Sequence, residues 1–225
     1  MRAWVIAASL GLFACASVEG AGDAPPPFTG ANAPSAAASS APTTFEPVNL
    51  PAGAYRIDPR HATVLFRIRH MDLAWFTARF DTEAGSLELD PADLSRSRLT
   101  ASVDAASVNT GVLNRDSERG FDRQIASALG AAQAPRITFT STAIERTGQN
   151  TARVTGDLAM NGQTHPLTLE ATFDGAAIDP LRGGNQVLGF SAHGEIDRVQ
   201  WGVTEWDAFT GDAVQIVIEA EFVKA

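Results

Sequence analysis

The sequence predicts an all-β protein, an eight-stranded antiparallel barrel with a short helical insertion between the third and fourth strands. Three observations carry this expectation. Eight segments beyond Ala54 alternate apolar and polar residues, as a strand with one dry and one wet face must. Hairpin-length connections join most of them. Antiparallel strands of this length and number leave open edges unless the sheet closes, a two-sheet sandwich being the alternative.

Strand one contains "HATVLFRIRH", which sets Val64, Phe66 and Ile68 against Arg67 and Arg69. In "WFTARFDTEAGSLELD" a face runs Phe76, Ala78, Phe80 and Ala84, then changes phase at Gly85 to Leu87 and Leu89, which predicts a bulge or bend at that glycine. Leu99, Ala101, Val103 and Ala105 mark strand three. The period of two then breaks. Asn114 is placed to cap a turn, and Phe121, Ile125 and Leu129 recur every four residues, predicting a helix across Gly120 or two short ones. Strand four carries Ile137, Phe139, Ser141 and Ala143; strand five carries Ala152, Val154, Gly156, Leu158 and Met160. An Asn161-Gly162 turn leads to Leu167, Leu169, Ala171 and Phe173 on strand six. After the Gly-rich "DPLRGGN", strand seven carries Leu188, Phe190, Ala192, Gly194 and Ile196, and strand eight carries Val214, Ile216, Ile218, Ala220 and Phe222.

Ahead of this domain, placed at residues 53–225, the chain has a different character. Arg2 precedes an apolar run from Ala3 to Ala14, too short to span a bilayer but of the length of a secretory leader, placed at residues 1–15. "LFAC" reads as a lipoprotein-type signal with Cys15 as the lipidated residue, and "ACA" as an ordinary cleavage site. Residues 16–52, rich in Ala, Pro and Ser, read as a disordered linker. With one cysteine, no intrachain disulfide forms.

Chemistry-bearing patterns are sparse. A net charge of −9 argues against nucleic acid as a partner. His61, His70, His165 and His193 show no ligand spacing, so no metal site is expected; His61 and His165 are expected near turns with backbone hydrogen bonds. "NRDSER" reads as a charged helix start, with Asp116 accepting hydrogen bonds or paired to an arginine and head-group contact by Arg115 and Asp116 the alternative; no nucleophile motif or catalytic residue is expected. What stands out is the inner face. Large apolar residues share it with Ala62, Ala78, Ala101, Gly156, Ala171, Ala192, Gly194 and Ala220. Small residues in a barrel either fit its taper or leave volume for an apolar ligand. The candidate wall of such a tunnel is Phe66, Ile68, Phe80, Val103, Phe139, Leu158, Leu169, Phe190 and Ile218. His70 is the candidate contact for a polar head group. Trp201, Trp206 and Phe209 either seal one end or form the rim through which a lipid enters, with Trp206 the candidate contact.

The motifs "YRIDPRHATVLFRIRH", "VDAASVNTGVLNRD", "PRITFTST", "VTGDLAMNGQTHPLTLEATF" and "IDRVQWGV" resemble, in order and spacing, those of the YceI-like proteins over Tyr55–Val223. The chain departs from that pattern at Ala62, Phe76, Trp201 and the segment after Asp116. The resemblance implies a lipocalin-like extended barrel in an exported bacterial protein that binds a polyisoprenoid or quinone-like lipid in a hydrophobic tunnel, with no other cofactor. Taken with the leader and the "LFAC" motif, the expectation is a periplasmic carrier or store, either held to a membrane by an N-terminal lipid anchor or soluble. The competing expectation is a filled barrel acting as an envelope stress module with a protein partner. Burying a methylene gains about 0.8 kcal/mol from water, but a bilayer offers the chain nearly the same gain, so exchange with a membrane is close to balanced.

Overall fold

The computed structural model describes residues 50–116 and 118–225; the predicted leader, Cys15 and most of the predicted linker lie outside the described residues. Ten strands and one helix follow in order: β1 (Gly53–His70), β2 (Ala74–Phe80), β3 (Glu83–Leu89), β4 (Arg98–Asp104), β5 (Val108–Asn109), α1 (Gly120–Ala128), β6 (Arg136–Arg146), β7 (Thr151–Met160), β8 (Gln163–Asp179), β9 (Asn185–Asp197) and β10 (Thr210–Lys224). Every pairing is antiparallel, and β1 pairs with β10 from Tyr55↔Lys224 to His70↔Thr210, which closes the sheet.

Ten strands make eight staves because two staves are broken. β2 pairs with one half of β1, from Val64↔Phe80 to His70↔Ala74, and β3 with the other half, from Gly53↔Leu89 to Arg56↔Ser86. β5 likewise continues β4, pairing Val108 with Phe80. The structure is therefore the predicted closed eight-stave barrel, with its helix between the third and fourth staves, and the sandwich alternative falls.

The expected bend at Gly85 is a correction. The second stave breaks four residues earlier, at Asp81–Thr82, so the inward set of β3 is Glu83, Gly85, Leu87 and Leu89, while Ala84 is exposed. The break answers an excursion of β1, which leaves its ladder with β10 between Ile57 and Ala62 and is unpaired toward β2 and β3 between Arg56 and Val64. The helix also differs from expectation, beginning at Gly120 and not crossing it. Asn114 does cap the preceding turn, its Oδ1 accepting from the amides of Asp116 and Glu118.

The buried apolar residues form two clusters, the larger of which runs along the barrel wall. At the upper end, where the 71–73 hairpin and α1 lie, the cluster includes Ala78, Val108, Ile125, Ala128, Met160 and Trp201. At the lower end, where β1 begins and β10 ends, Tyr55, Leu87, Leu89, Leu188 and Phe222 pack together. Leu50, on the linker side of the predicted boundary, is buried in that lower cluster, and Tyr55 Oη donates to Pro51 O at 2.6 Å. Among the described residues no helix is long and apolar enough to cross a membrane.

Candidate functional site: a tunnel along the barrel axis

Alternation places one residue in two of each stave against the axis, and what those residues leave empty decides whether the barrel is solid. It is not. A cavity of about 760 Å³ runs inside it, within the range of roughly 300–1,000 Å³ for small-molecule sites. All nine candidate wall residues, Phe66, Ile68, Phe80, Val103, Phe139, Leu158, Leu169, Phe190 and Ile218, line this cavity, as do His70 and Trp206.

Of the eight small inward residues, Ala62 and Ala78 pack within the apolar clusters, and the other six divide into two groups. At Gly156 a Cβ would stand 2.6 Å from the Phe139 ring, and at Gly194 it would stand 2.8 Å from Leu169 Cδ2. These glycines make room for neighbouring side chains, so there the taper reading holds. Ala101, Ala171, Ala192 and Ala220 instead face the cavity and account for part of its width.

Aromatic groups mark the ends and the middle. At the upper end α1 lays Phe121 across the opening, 5.8 Å from Phe76 and 5.9 Å from Trp206 in edge-on contacts. Phe66 and Phe80 meet at 5.7 Å, and Phe173, Phe190 and Phe222 form a chain at the lower end. The tryptophans split between the two predicted roles. Trp201 is buried and donates from Nε1 to Leu158 O at 3.0 Å, a seal, whereas Phe209 is exposed at the rim. Trp206 lies between them, half-buried, with a positive φ of 62°.

Fixed polar contacts hold the upper rim. Arg198, buried, donates to the carbonyls of Gly211, Val203 and Glu205 and to Asp207, pinning the β9–β10 connection. Buried Asp122 accepts from Thr110 N and Oγ1 and pairs with Arg119, tying α1 to the preceding loop. Burial alone would raise the Asp122 carboxyl, but the Thr110 and Arg119 donors outweigh it and lower its pKa. Met71 and Asp72 turn the β1–β2 hairpin with φ of 51° and 56°, and Met71 N donates to Phe209 O at 2.7 Å. Around this rim Met71, Leu73, Trp75, Val112, Leu113 and Phe209 are exposed, and Trp75 lies 5.1 Å from the guanidinium carbons of both Arg67 and Arg69.

The histidines need correction. His165 makes no backbone hydrogen bond through its buried Nε2, which has no partner among the described residues, and its ring stands edge-on to Trp201 at 4.9 Å. His61 bonds to side chains, not backbone: Nδ1 lies 2.7 Å from Asp58 Oδ2 and 2.7 Å from an Arg182 guanidinium nitrogen. His70 ends β1 at the upper rim, exposed and facing the cavity. Asp116 is exposed, and its contact is through its backbone amide to Asn114.

Two features escaped the sequence reading. Asp58, His61 and Glu221 bring ligand-type atoms within 4.8 Å of one another at the lower end. Arg182 stands among them, paired with Asp58, Asp179 and Glu221, so the cluster already holds a cation of its own and reads as the clasp of the β1 excursion. Burial would raise the Asp58 carboxyl, but the His61 contact, the Arg60 amide and the charges of Arg182 and Arg60 bring it down to about 2. The second feature is Glu83, a buried carboxyl in the cavity wall.

Comparison with known proteins follows this geometry. A family model described as YceI-like domain matches residues 55–222. Protein YceI of Salmonella newport (strain SL254) is 32% identical over 175 residues, covering 77% of this chain and 88% of that protein. The crystal structure of Burkholderia cenocepacia BcnA superposes with a TM-score of 0.63 at 23% identity, over 73% of this chain and 98% of that one. A polyisoprenoid binding domain from Saccharophagus degradans, implicated in plant cell wall breakdown, gives 0.57 at 12% identity over 78% of this chain and 100% of that one. At these identities the two structures share the fold.

Proposed function

The chain belongs to the YceI-like domain family, and from that premise we propose that its barrel binds a long apolar lipid of isoprenoid or quinone type inside the tunnel. The observation that carries the reading is the void itself, about 760 Å³ walled by Phe, Leu, Ile and Val. Packed protein interiors retain few voids larger than a water molecule, so an apolar cavity of this size is a binding site in want of an apolar occupant. The polyisoprenoid-binding neighbour of the same fold supports the choice of ligand class.

The reading extends to a carrier or store in the periplasm, held to a membrane through Cys15 or soluble there. The upper rim suits exchange with a bilayer. Its exposed Leu73, Met71 and Phe209 offer apolar area, and Trp75 between Arg67 and Arg69 is the residue pairing favoured at a membrane interface. The rival of a filled barrel loses its premise to the void. Binding, with no catalytic step, is the activity proposed.

Native mass spectrometry of protein purified from a bacterial membrane fraction is expected to show a lipid adduct. A Leu158→Asp variant that keeps its circular dichroism is expected to carry none. An unliganded mass under gentle conditions, with no uptake of a hydrocarbon fluorophore, would count against the reading. Intact mass of the mature chain reports lipidation at Cys15 separately.

A further inference from the structure

Glu83 is out of place in an apolar tunnel. Inward alternation along β3 puts it on the same face as Gly85, Leu87 and Leu89, and its cross-strand partner is Val103, a wall residue. It is 9% exposed, and the cavity is what it faces. The Val64–Phe80 pair is where β2 ends its ladder with β1, so Glu83 lies near the middle of the barrel, beside the stretch where β1 runs unpaired.

A buried carboxyl in a wall of hydrocarbon is costly without partners. Burial and the nearby Asp81 push the Glu83 pKa up, against the weaker pull of its own amide, the Arg79 charge and the Val64 amide. Among the described residues no side chain forms an ion pair or hydrogen bond with it. Of the two arginines that border the cavity, Arg198 spends its donors on the carbonyls of Gly211, Val203 and Glu205 and on Asp207, and Arg146 donates to Gln149 O. What the wall lacks at this point is a side-chain donor: the carboxyl has only the amides of Val64 and of Glu83 itself.

We propose that the occupant supplies it: the tunnel selects an apolar chain bearing a hydrogen-bond donor, an alcohol or a protonated amine, that docks on Glu83, and it rejects chains whose head is anionic. The inference rests on the lipid-binding reading and narrows it from an apolar guest to a donor-bearing amphiphile. His70 at the rim and Glu83 at mid-barrel then play different parts, and Glu83 is the one that discriminates between heads.

Displacement of diphenylhexatriene, a fluorescent hydrocarbon, from delipidated protein tests this with three probes of equal chain length: dodecanol, dodecylamine and dodecanoate. The alcohol and the amine are expected to displace the fluorophore at roughly tenfold lower concentration than dodecanoate, equivalent to about 1.4 kcal/mol. Dodecylamine ahead of dodecanol identifies an ion pair with Glu83, and parity a neutral hydrogen bond; both support the proposal. In Glu83→Gln the gap is expected to shrink to about twofold, with diphenylhexatriene still bound, which shows an intact tunnel. Glu83→Leu serves as the second variant and is expected to remove the gap while favouring the hydrocarbon. Equal displacement by dodecanoate in the wild type, or a gap that survives in both variants, overturns the role of Glu83 and leaves the tunnel standing. Failure of diphenylhexatriene to enter the wild type overturns the lipid reading and this inference with it.

Discussion

Asp58 and Glu83 are both buried carboxyls on or beside the β1 excursion, and their surroundings push them in opposite directions. Asp58 has a histidine and an arginine against it, which keep its folded pKa at about 2 despite burial. A depressed folded value means stability that is present above the ordinary Asp range and is lost as pH falls through it toward about 2. Asp58→Asn is therefore expected to cost on the order of 2 kcal/mol at pH 7, with the difference from wild type fading as urea unfolding is repeated toward pH 2. Glu83 has the reverse sign. Its raised pKa means that the folded state gains stability as pH falls from neutral toward the ordinary Glu range, and loses it as pH rises. Glu83→Gln is accordingly expected to melt no lower than wild type at neutral pH, and to lose the pH dependence that wild type shows on the acid side. A melting point that drops in the variant would mean that the carboxylate is already satisfied in the empty barrel by the Val64 amide and its own.

At the scale of elements, α1 is the part with the most direct bearing on traffic through the tunnel. It holds only nine residues and contributes Phe121 to an aromatic bar with Phe76 and Trp206. Aromatic pairs of this kind are worth about 0.5–1.5 kcal/mol each, so Phe121→Ala is expected to release diphenylhexatriene roughly tenfold faster in stopped-flow dilution, with equilibrium uptake retained. No change in release rate would place the exit at the lower end, near Arg146 and Asn150, which also border the cavity. The elements were largely legible in the sequence because alternation within a stave is a local signal: Val64, Phe66 and Ile68 face inward as their spacing requires, and Phe121 and Ile125 share a helix face. The errors arose where tertiary structure sets the phase. Nothing within "RFDTEAGS" reveals that β1 loops away from its neighbours, so alternation alone assigns the break to Gly85 and sets Ala84, not Glu83, on the inner face. The Asp58 clasp was illegible for a similar reason, since its arginine lies 124 residues away in sequence.

For the whole molecule, the decisive feature is that β1 and β10 are neighbours. Tyr55 stands beside Lys224, whose Nζ lies 4.7 Å over the Tyr55 ring and donates to Ala52 O at 2.7 Å, and Ala225 N donates to Ala54 O at 2.9 Å. Both chain ends of the barrel thus lie together at the lower end. A circular permutant that joins them by a short linker and opens the exposed 147–150 turn is expected to keep its fluorophore uptake and to melt within a few degrees of the parent, by the general tolerance of such sites. Deleting β10 should instead expose the edges of β1 and β9 and give aggregates on gel filtration. The same adjacency orders events in time. Until the final strand has been made, the interior is a trough with one side missing, and contacts so distant along the chain form late. A guest supplied during refolding meets that trough, whereas a guest supplied afterward must pass the aromatic bar; comparing occupancy under the two orders of addition would tell whether loading accompanies assembly or follows it.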